Sequence, residues 1–306
     1  MQELSAAVCE FIEAYVPHED ILRNEPMSNH TTFRIGGEAS YFIRISRMEQ
    51  LLKLIPYLKQ IDVPYFILGN GSNLLVSDQG YQGVILQIGD KFNRIEVNGN
   101  TMTIEAGALL SQVAHHALSE ELTGLEFASG IPGTIGGSVV MNAGAYGGEM
   151  KQIVENVTVL SDTGEILQLD NATMEFGYRT SIIKNRHFTV LQVTLRLEKG
   201  KGEEIRARMD DFSQRRKAKQ PLEFPSAGST FKRPEGYFAG KLIMDAGLRG
   251  YSIGGAKISE KHCGFVVNMG KATATDVADV IAEVQERVKN KFGVSLEREV
   301  IYLGSF

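Results

Sequence analysis

The chain has 306 residues, 43% of them hydrophobic and 23% charged, and a formal net charge of −5. That length is more than one hydrophobic core usually serves, so two or three domains are expected. The acidic balance argues against a general nucleic-acid binder, two cysteines are too few for a disulfide framework, and no apolar run approaches the ~20 residues of a membrane span.

A helix is predicted over Gln2–Tyr15, with Leu4, Val8, Phe11, Ile12 and Tyr15 on one side and Pro17 as its stop. Met1–Pro17 lacks a basic stretch followed by an apolar one, so no secretory leader is expected. With Cys9 and Cys263 read as reduced thiols, the expected location is the cytoplasm. Tyr41–Ile45, Met48–Gln60 and Tyr65–Leu68 predict a strand–helix–strand unit.

Strands are predicted at Val84–Ile88, Arg94–Val97 and Met102–Glu105, the last two joined by a hairpin turn at Asn98-Gly99-Asn100. A helix follows at Leu109–Ser119, and then a glycine-rich stretch without sustained period over Ala128–Glu149. Val154–Leu160 and Glu165–Leu169 flank a second hairpin at Asp162-Thr163-Gly164, and Phe188–Leu197 alternates as a strand. Glu203–Lys217 predicts a helix whose basic end suits the negative pole of its dipole.

Pro221 and Pro225 mark a boundary. Beyond it come a short helix at Phe238–Ala246, a strand at Gly264–Asn268, an amphipathic helix at Thr275–Phe292 with Gly293 past its end, and a last strand at Glu299–Leu303. No internal repeat or low-complexity tract is present. His30, His115, His116, His187 and His262 show no metal-ligand spacing with Cys or acidic residues, so no metal is expected.

Two glycine-rich segments carry the first chemical signal. In Gly69-Asn70-Gly71-Ser72-Asn73 a strand delivers a tight turn whose backbone N–H groups can form an anion site. Leu74 stands where a dinucleotide fingerprint has its third glycine, and on spacing alone a plain turn explains the segment equally well. The second, Gly130-Ile131-Pro132-Gly133-Thr134-Ile135-Gly136-Gly137, continues through Asn142, Gly144 and Ala145. Apolar residues interleaved with glycine suggest backbone pressed against a large flat group; close strand packing is the alternative.

Together these segments resemble the FAD site of vanillyl-alcohol-oxidase-like flavoproteins. The run Asn142-Ala143-Gly144-Ala145-Tyr146-Gly147 narrows the likeness to the UDP-N-acetylenolpyruvoylglucosamine reductase family. Gly177-Tyr178-Arg179-Thr180-Ser181, Ser226-Ala227-Gly228-Ser229-Thr230 and Leu296-Glu297-Arg298-Glu299 agree with it, in order and across nearly the whole chain.

The resemblance implies an α+β fold with a two-part FAD-binding region and a substrate-binding α+β domain. The expected parts are residues 1–85, residues 86–220 joined by the C-terminal strand 295–306, and residues 221–294. Noncovalent FAD would be held by Gly69, Asn70, Gly71, Ser72, Asn73, Gly130, Pro132, Gly133, Thr134, Gly136, Gly137, Asn142, Gly144 and Ala145. NADPH would be the hydride donor, UDP-N-acetylglucosamine enolpyruvate the substrate, and a monomer the working unit, with no nucleic-acid partner.

The same resemblance implies roles for five further residues. Arg179 would stabilise the dianion formed on hydride addition, its fork of donors suiting a carboxylate. Ser229 would give the proton to C2. Glu299, if buried, would stay protonated and act as a donor. Lys219 and Arg233 match, or lie beside, positions that hold substrate. Arg233 replaces an amide residue of the longer subtype, and no counterpart of that subtype's capping tyrosine loop lies between Tyr178 and Phe188. A flavin oxidase of the same fold, or a noncatalytic flavin sensor, would need none of the Arg179, Ser229 and Glu299 set.

Overall fold

The structure, a computed structural model, describes residues 4–306. Of the expected first helix, Gln2 and Glu3 lie outside the described residues; α1 runs Ala6–Tyr15 with Val8 and Ile12 buried. Next come β1 (Ile21–Pro26), β2 (Glu38–Ile45), α2 (Met48–Gln60), β3 (Tyr65–Leu68), β4 (Leu74–Val76) and β5 (Tyr81–Ile88). The first sheet has the order β1-β2-β5-β3, with β2, β5 and β3 parallel and β1 antiparallel at the edge. The predicted strand–helix–strand unit is there, but β5 lies between its two strands. Val84, Ile85 and Leu86 are fully buried, and a strand apolar on both faces belongs in the middle of a covered parallel sheet. β1 was not predicted: Arg23, Asn24 and Glu25 give it no apolar alternation, and an edge position asks for none.

The second group contains β6 (Ile95–Asn98), β7 (Thr101–Glu105), α3 (Leu110–Ser119), β8 (Leu122–Thr123), α4 (Ile135–Val140), β9 (Gly144–Ala145) and β10 (Gly148–Glu149). It continues with β11 (Val154–Leu160), β12 (Ile166–Asp170), α5 (Ile182–Arg186), β13 (Thr189–Arg196), β14 (Glu198–Lys199) and α6 (Gly202–Lys219). Its antiparallel sheet runs β12-β11-β13-β7-β6, and both predicted hairpins are present. The glycine-rich stretch holds a helix that the sequence did not predict. Thr134 caps α4 by accepting the N–H of Gly137 at 3.3 Å, and six residues are too few to display a period. One hydrophobic core reaches from Val8 to Met209 across both groups.

The last group contains α7 (Ala239–Asp245), β15 (Ser252–Ile253), β16 (Ala256–Ile258), β17 (Val266–Asn268), α8 (Ala274–Phe292) and β18 (Ile301–Leu303). Val277, Val280, Ile281, Val284 and Val288 bury the predicted stripe of α8, and Gly293 closes it at φ +70°. The core they build also takes in Phe33, Ile35 and Leu75 from the first group. β18 pairs in parallel with β4, Ile301 beside Leu74 and Leu303 beside Val76. The expected return of this strand to residues 86–220 is therefore corrected: it returns within residues 1–85. Leu303 packs with Met27, Phe42, Leu74 and Ile85, an apolar pocket that fixes the pairing. Among the described residues no helix is long and apolar enough to cross a membrane.

Candidate active site

Three short backbone pairings bring Arg179, Ser229 and Glu299 together. The segment after Ser229 runs antiparallel to the segment before β18: Phe231 bridges Arg298, and the N–H groups of Lys232 and Glu299 donate to Glu297 and Thr230 carbonyls, each at 2.9 Å. Fully buried Thr230 locks this pair onto β17, donating its N–H to Gly264 O at 2.8 Å and accepting the Val266 N–H at 3.1 Å. Asn73 holds the other side of Glu299, its Nδ2 donating to the Glu299 carbonyl at 3.1 Å and its own carbonyl accepting the Ile301 N–H at 3.0 Å. Arg179 approaches from the second group on a turn closed by a Gly177–Thr180 bridge, with its own φ at +56°.

Arg179, Ser229 and Glu299 line one cavity of about 400 Å³, together with Arg233. Nε of Arg179 lies 3.0 Å from Oε1 of Glu299, an ion-pair contact at an angle outside hydrogen-bond geometry. Burial pushes the Glu299 carboxyl above its ordinary range, and the charges of Arg179, Lys232 and Lys184 only partly offset this. A carboxyl so held favours its protonated form more than an exposed glutamate does, and can act as a donor. Arg233 gives its backbone N–H to Tyr178 Oη at 3.1 Å, while its guanidinium lies 4.0 Å above the Phe238 ring.

The glycine segments face each other. Asn70 Nδ2 donates to the Pro132 carbonyl. A Cβ on Gly69 would stand 2.6 Å from Thr134 Oγ1, and one on Gly71, at φ +60°, would stand 2.0 Å from the His30 carbonyl. Only glycine satisfies both the left-handed turn and that approach. Gly133 sits across from Ser72, and Gly136 and Gly137 form the first turn of α4. Among the described residues, the N–H groups of Asn70, Gly71, Ser72, Gly133 and Thr134 have no protein acceptor. Two facing turns with free N–H groups fit a pyrophosphate, which needs donors and tolerates no intruding Cβ. Beside Gly130 and Pro132 opens a larger cavity of about 710 Å³, also lined by Tyr146, Phe212 and Arg216. These turns are the part of the structure that would hold the pyrophosphate of FAD.

Other expected residues lie elsewhere. Lys219, at the exposed end of α6, lines neither cavity. Gly144 and Ala145 form the β9–β10 hairpin, and the side chain of Asn142 is engaged by protein groups. Sequence reasoning passed over Tyr178, Lys241, Arg249, Lys261 and His262 as site residues, although all five line the smaller cavity. For the last four the signal available was a scatter of basic residues among glycines between Gly240 and Gly264; for Tyr178 it was its place beside Arg179.

Over 281 residues the chain is 55% identical to the UDP-N-acetylenolpyruvoylglucosamine reductase of Caldanaerobacter subterraneus subsp. tengcongensis, covering 92% of this chain and 93% of that protein. The enzyme of the same name from Clostridioides difficile is 52% identical, with 94% of each chain covered. The crystal structure of the Thermus caldophilus reductase matches with a TM-score of 0.79 at 35% identity, covering 92% of this chain and 98% of that one. Residues 39–170 match an FAD binding domain, so fold and site together define an FAD-dependent oxidoreductase. Residues 220–303 match the C-terminal domain of UDP-N-acetylenolpyruvoylglucosamine reductase. The chain belongs to the UDP-N-acetylenolpyruvoylglucosamine reductase family.

Proposed function

We propose that the chain reduces UDP-N-acetylglucosamine enolpyruvate to UDP-N-acetylmuramate at the expense of NADPH, a step of peptidoglycan precursor synthesis in the cytoplasm. The observation that carries the mechanism is the shared cavity of Arg179, Ser229 and Glu299. FAD, when bound at the facing glycine turns, would supply the redox chemistry by which NADPH reduces C3 of the enolpyruvyl group. Hydride addition drives negative charge into the C2–carboxylate system of the substrate. Arg179 meets that charge with a fixed fork of donors, and Glu299 with a protonated carboxyl. Ser229 gives its hydroxyl proton to C2, which completes the lactyl ether, and recovers a proton from solvent. Arg233, on the same wall, supports a role in holding the substrate's acidic groups. The domain division proposed is residues 1–85, 86–220 and 221–294, with residues 295–306 returning to the first. A monomer is the working unit proposed.

The test is direct. The purified protein is expected to show a flavin absorbance spectrum and to oxidise NADPH rapidly only when the enolpyruvyl substrate is present. Fast NADPH oxidation driven by O₂ alone would instead make it an oxidase, and flavin binding without turnover would make it a sensor.

A further inference from the structure

We infer that Asn142 is a positioning residue for Arg179, acting through the turn at Gly177. This rests on the role given to Arg179 above. Asn142 is 4% exposed and occupies the left-handed region at φ +42°. Every polar atom of its side chain has a protein partner. Nδ2 donates to the Gly177 carbonyl and to Glu149 Oε2, both at 3.1 Å, and Oδ1 accepts the Lys151 N–H at 2.9 Å. The amide is thus committed to the chain: both Nδ2 hydrogens are donated to protein acceptors, and Oδ1 accepts a backbone N–H.

The turn it grips is short. Gly177 and Thr180 exchange backbone hydrogen bonds at 3.1 and 3.4 Å, and Arg179 sits between them at φ +56°. A second tether lies just beyond: the Ser181 hydroxyl, in a residue 1% exposed, donates to the Val140 carbonyl at 2.9 Å. Both tethers end on the stretch formed by the last turn of α4 and the two residues after it. That helix is capped by Thr134, in the segment that faces Gly69. The arginine is therefore held from the same short helix whose first turn borders the pyrophosphate cradle. A residue at positive φ stays there only when its surroundings over-determine it, and these two bonds supply that constraint. Without them the turn relaxes and the guanidinium withdraws from Glu299 and from the substrate carboxylate.

Asn142→Gly removes the side chain and keeps the backbone conformation. The variant is expected to purify with the wild-type ratio of FAD and to be reduced by NADPH at nearly the wild-type rate. Reoxidation by the enolpyruvyl substrate should slow by roughly ten- to a hundredfold, the cost of a misplaced catalytic group. In an Arg179→Lys background the same change should cost less than about twofold, because two residues acting through one group are not additive. The carboxyl of Glu299, faced by Arg179, Lys232 and Lys184, should titrate at higher pH in Asn142→Gly, read by carbon-13 NMR of glutamate-labelled protein. Ser181→Ala should show the same pattern more weakly, and serves if Asn142→Gly does not fold.

Loss of FAD, equal slowing of both half-reactions, additive losses with Arg179→Lys, or an unmoved Glu299 titration would each overturn the inference. The titration does not depend on turnover. It therefore decides the positioning role even if the proposed substrate proves wrong.

Discussion

Nε of Arg179 stands 3.0 Å from a Glu299 carboxyl that burial holds above its ordinary range. The carboxyl is therefore easier to protonate than an exposed glutamate, despite a cation at contact distance. Glu299→Gln, which keeps a donor, is expected to retain more substrate-driven flavin reoxidation than Glu299→Ala, and to lose the basic limb that belongs to this group. The same shift has a sign for stability. A raised folded-state pKa contributes fully below the unfolded value of about 4.5 and is lost as pH rises through the folded value. Urea midpoints measured upward from pH 4.5 should fall in the wild type by more than in Glu299→Gln; parallel curves would show that the carboxyl does not titrate as described.

Arg179→Lys keeps the charge and removes the planar fork. Transition-state stabilisation should drop by about 2–4 kcal/mol, the usual cost of removing a donor aimed at developing negative charge. Single-turnover reoxidation of prereduced enzyme reads this directly, and wild-type speed would remove Arg179 from the mechanism.

Ser229→Ala should separate the half-reactions. Flavin reduction by NADPH should stay near the wild-type rate, while reoxidation by substrate falls by about 10²–10⁴-fold, the contribution of a positioned acid. Equal slowing of both would make Ser229 a shaping residue rather than a proton donor.

Gly71→Ala tests the cradle. The left-handed φ alone costs about 1–2 kcal/mol for a residue with a Cβ, and the new methyl would meet the His30 carbonyl at 2.0 Å. The purified variant should carry little FAD and melt below the wild type. A full complement of flavin would show that this turn does not border the cofactor.

Asp78 makes a prediction away from the chemistry. From the loop after β4 its carboxylate accepts the N–H groups of Ala274 and Thr275 at 2.7 and 2.9 Å, capping α8 from a distant part of the chain. Asp78→Ala should lower unfolding free energy by about 1–2 kcal/mol through the lost cap and dipole contact, measured by urea denaturation.

The sequence makes α8 legible because nineteen residues repeat one apolar stripe between a capping threonine and a left-handed glycine. The hairpins at Gly99 and Gly164 are legible because their turns demand residues that accept positive φ. The helix α4 is not, since Gly136 and Gly137 erase the pattern in its first turn. The site is harder still. Nothing in the spacing of Arg179, Ser229 and Glu299 relates them, and only the resemblance groups them. Their meeting depends on a three-residue antiparallel pairing and on one asparagine, Asn73, that no periodicity reports. Lys219, which matches or lies beside a family position, is exposed at a helix end, and neither its period nor its spacing marks it out.

Asn73 and Glu299 touch across 226 positions of chain, and β18 pairs with β4 over a similar span. Synthesis from the N-terminus therefore delivers both glycine turns long before it delivers the glutamate that faces Arg179. A chain cut short between Gly137 and Glu299 has the residues for the proposed flavin cradle and no carboxyl to complete the proposed substrate site. Pairing of β18 with β4 thus joins the acidic side of the proposed site to a turn made far earlier in the chain.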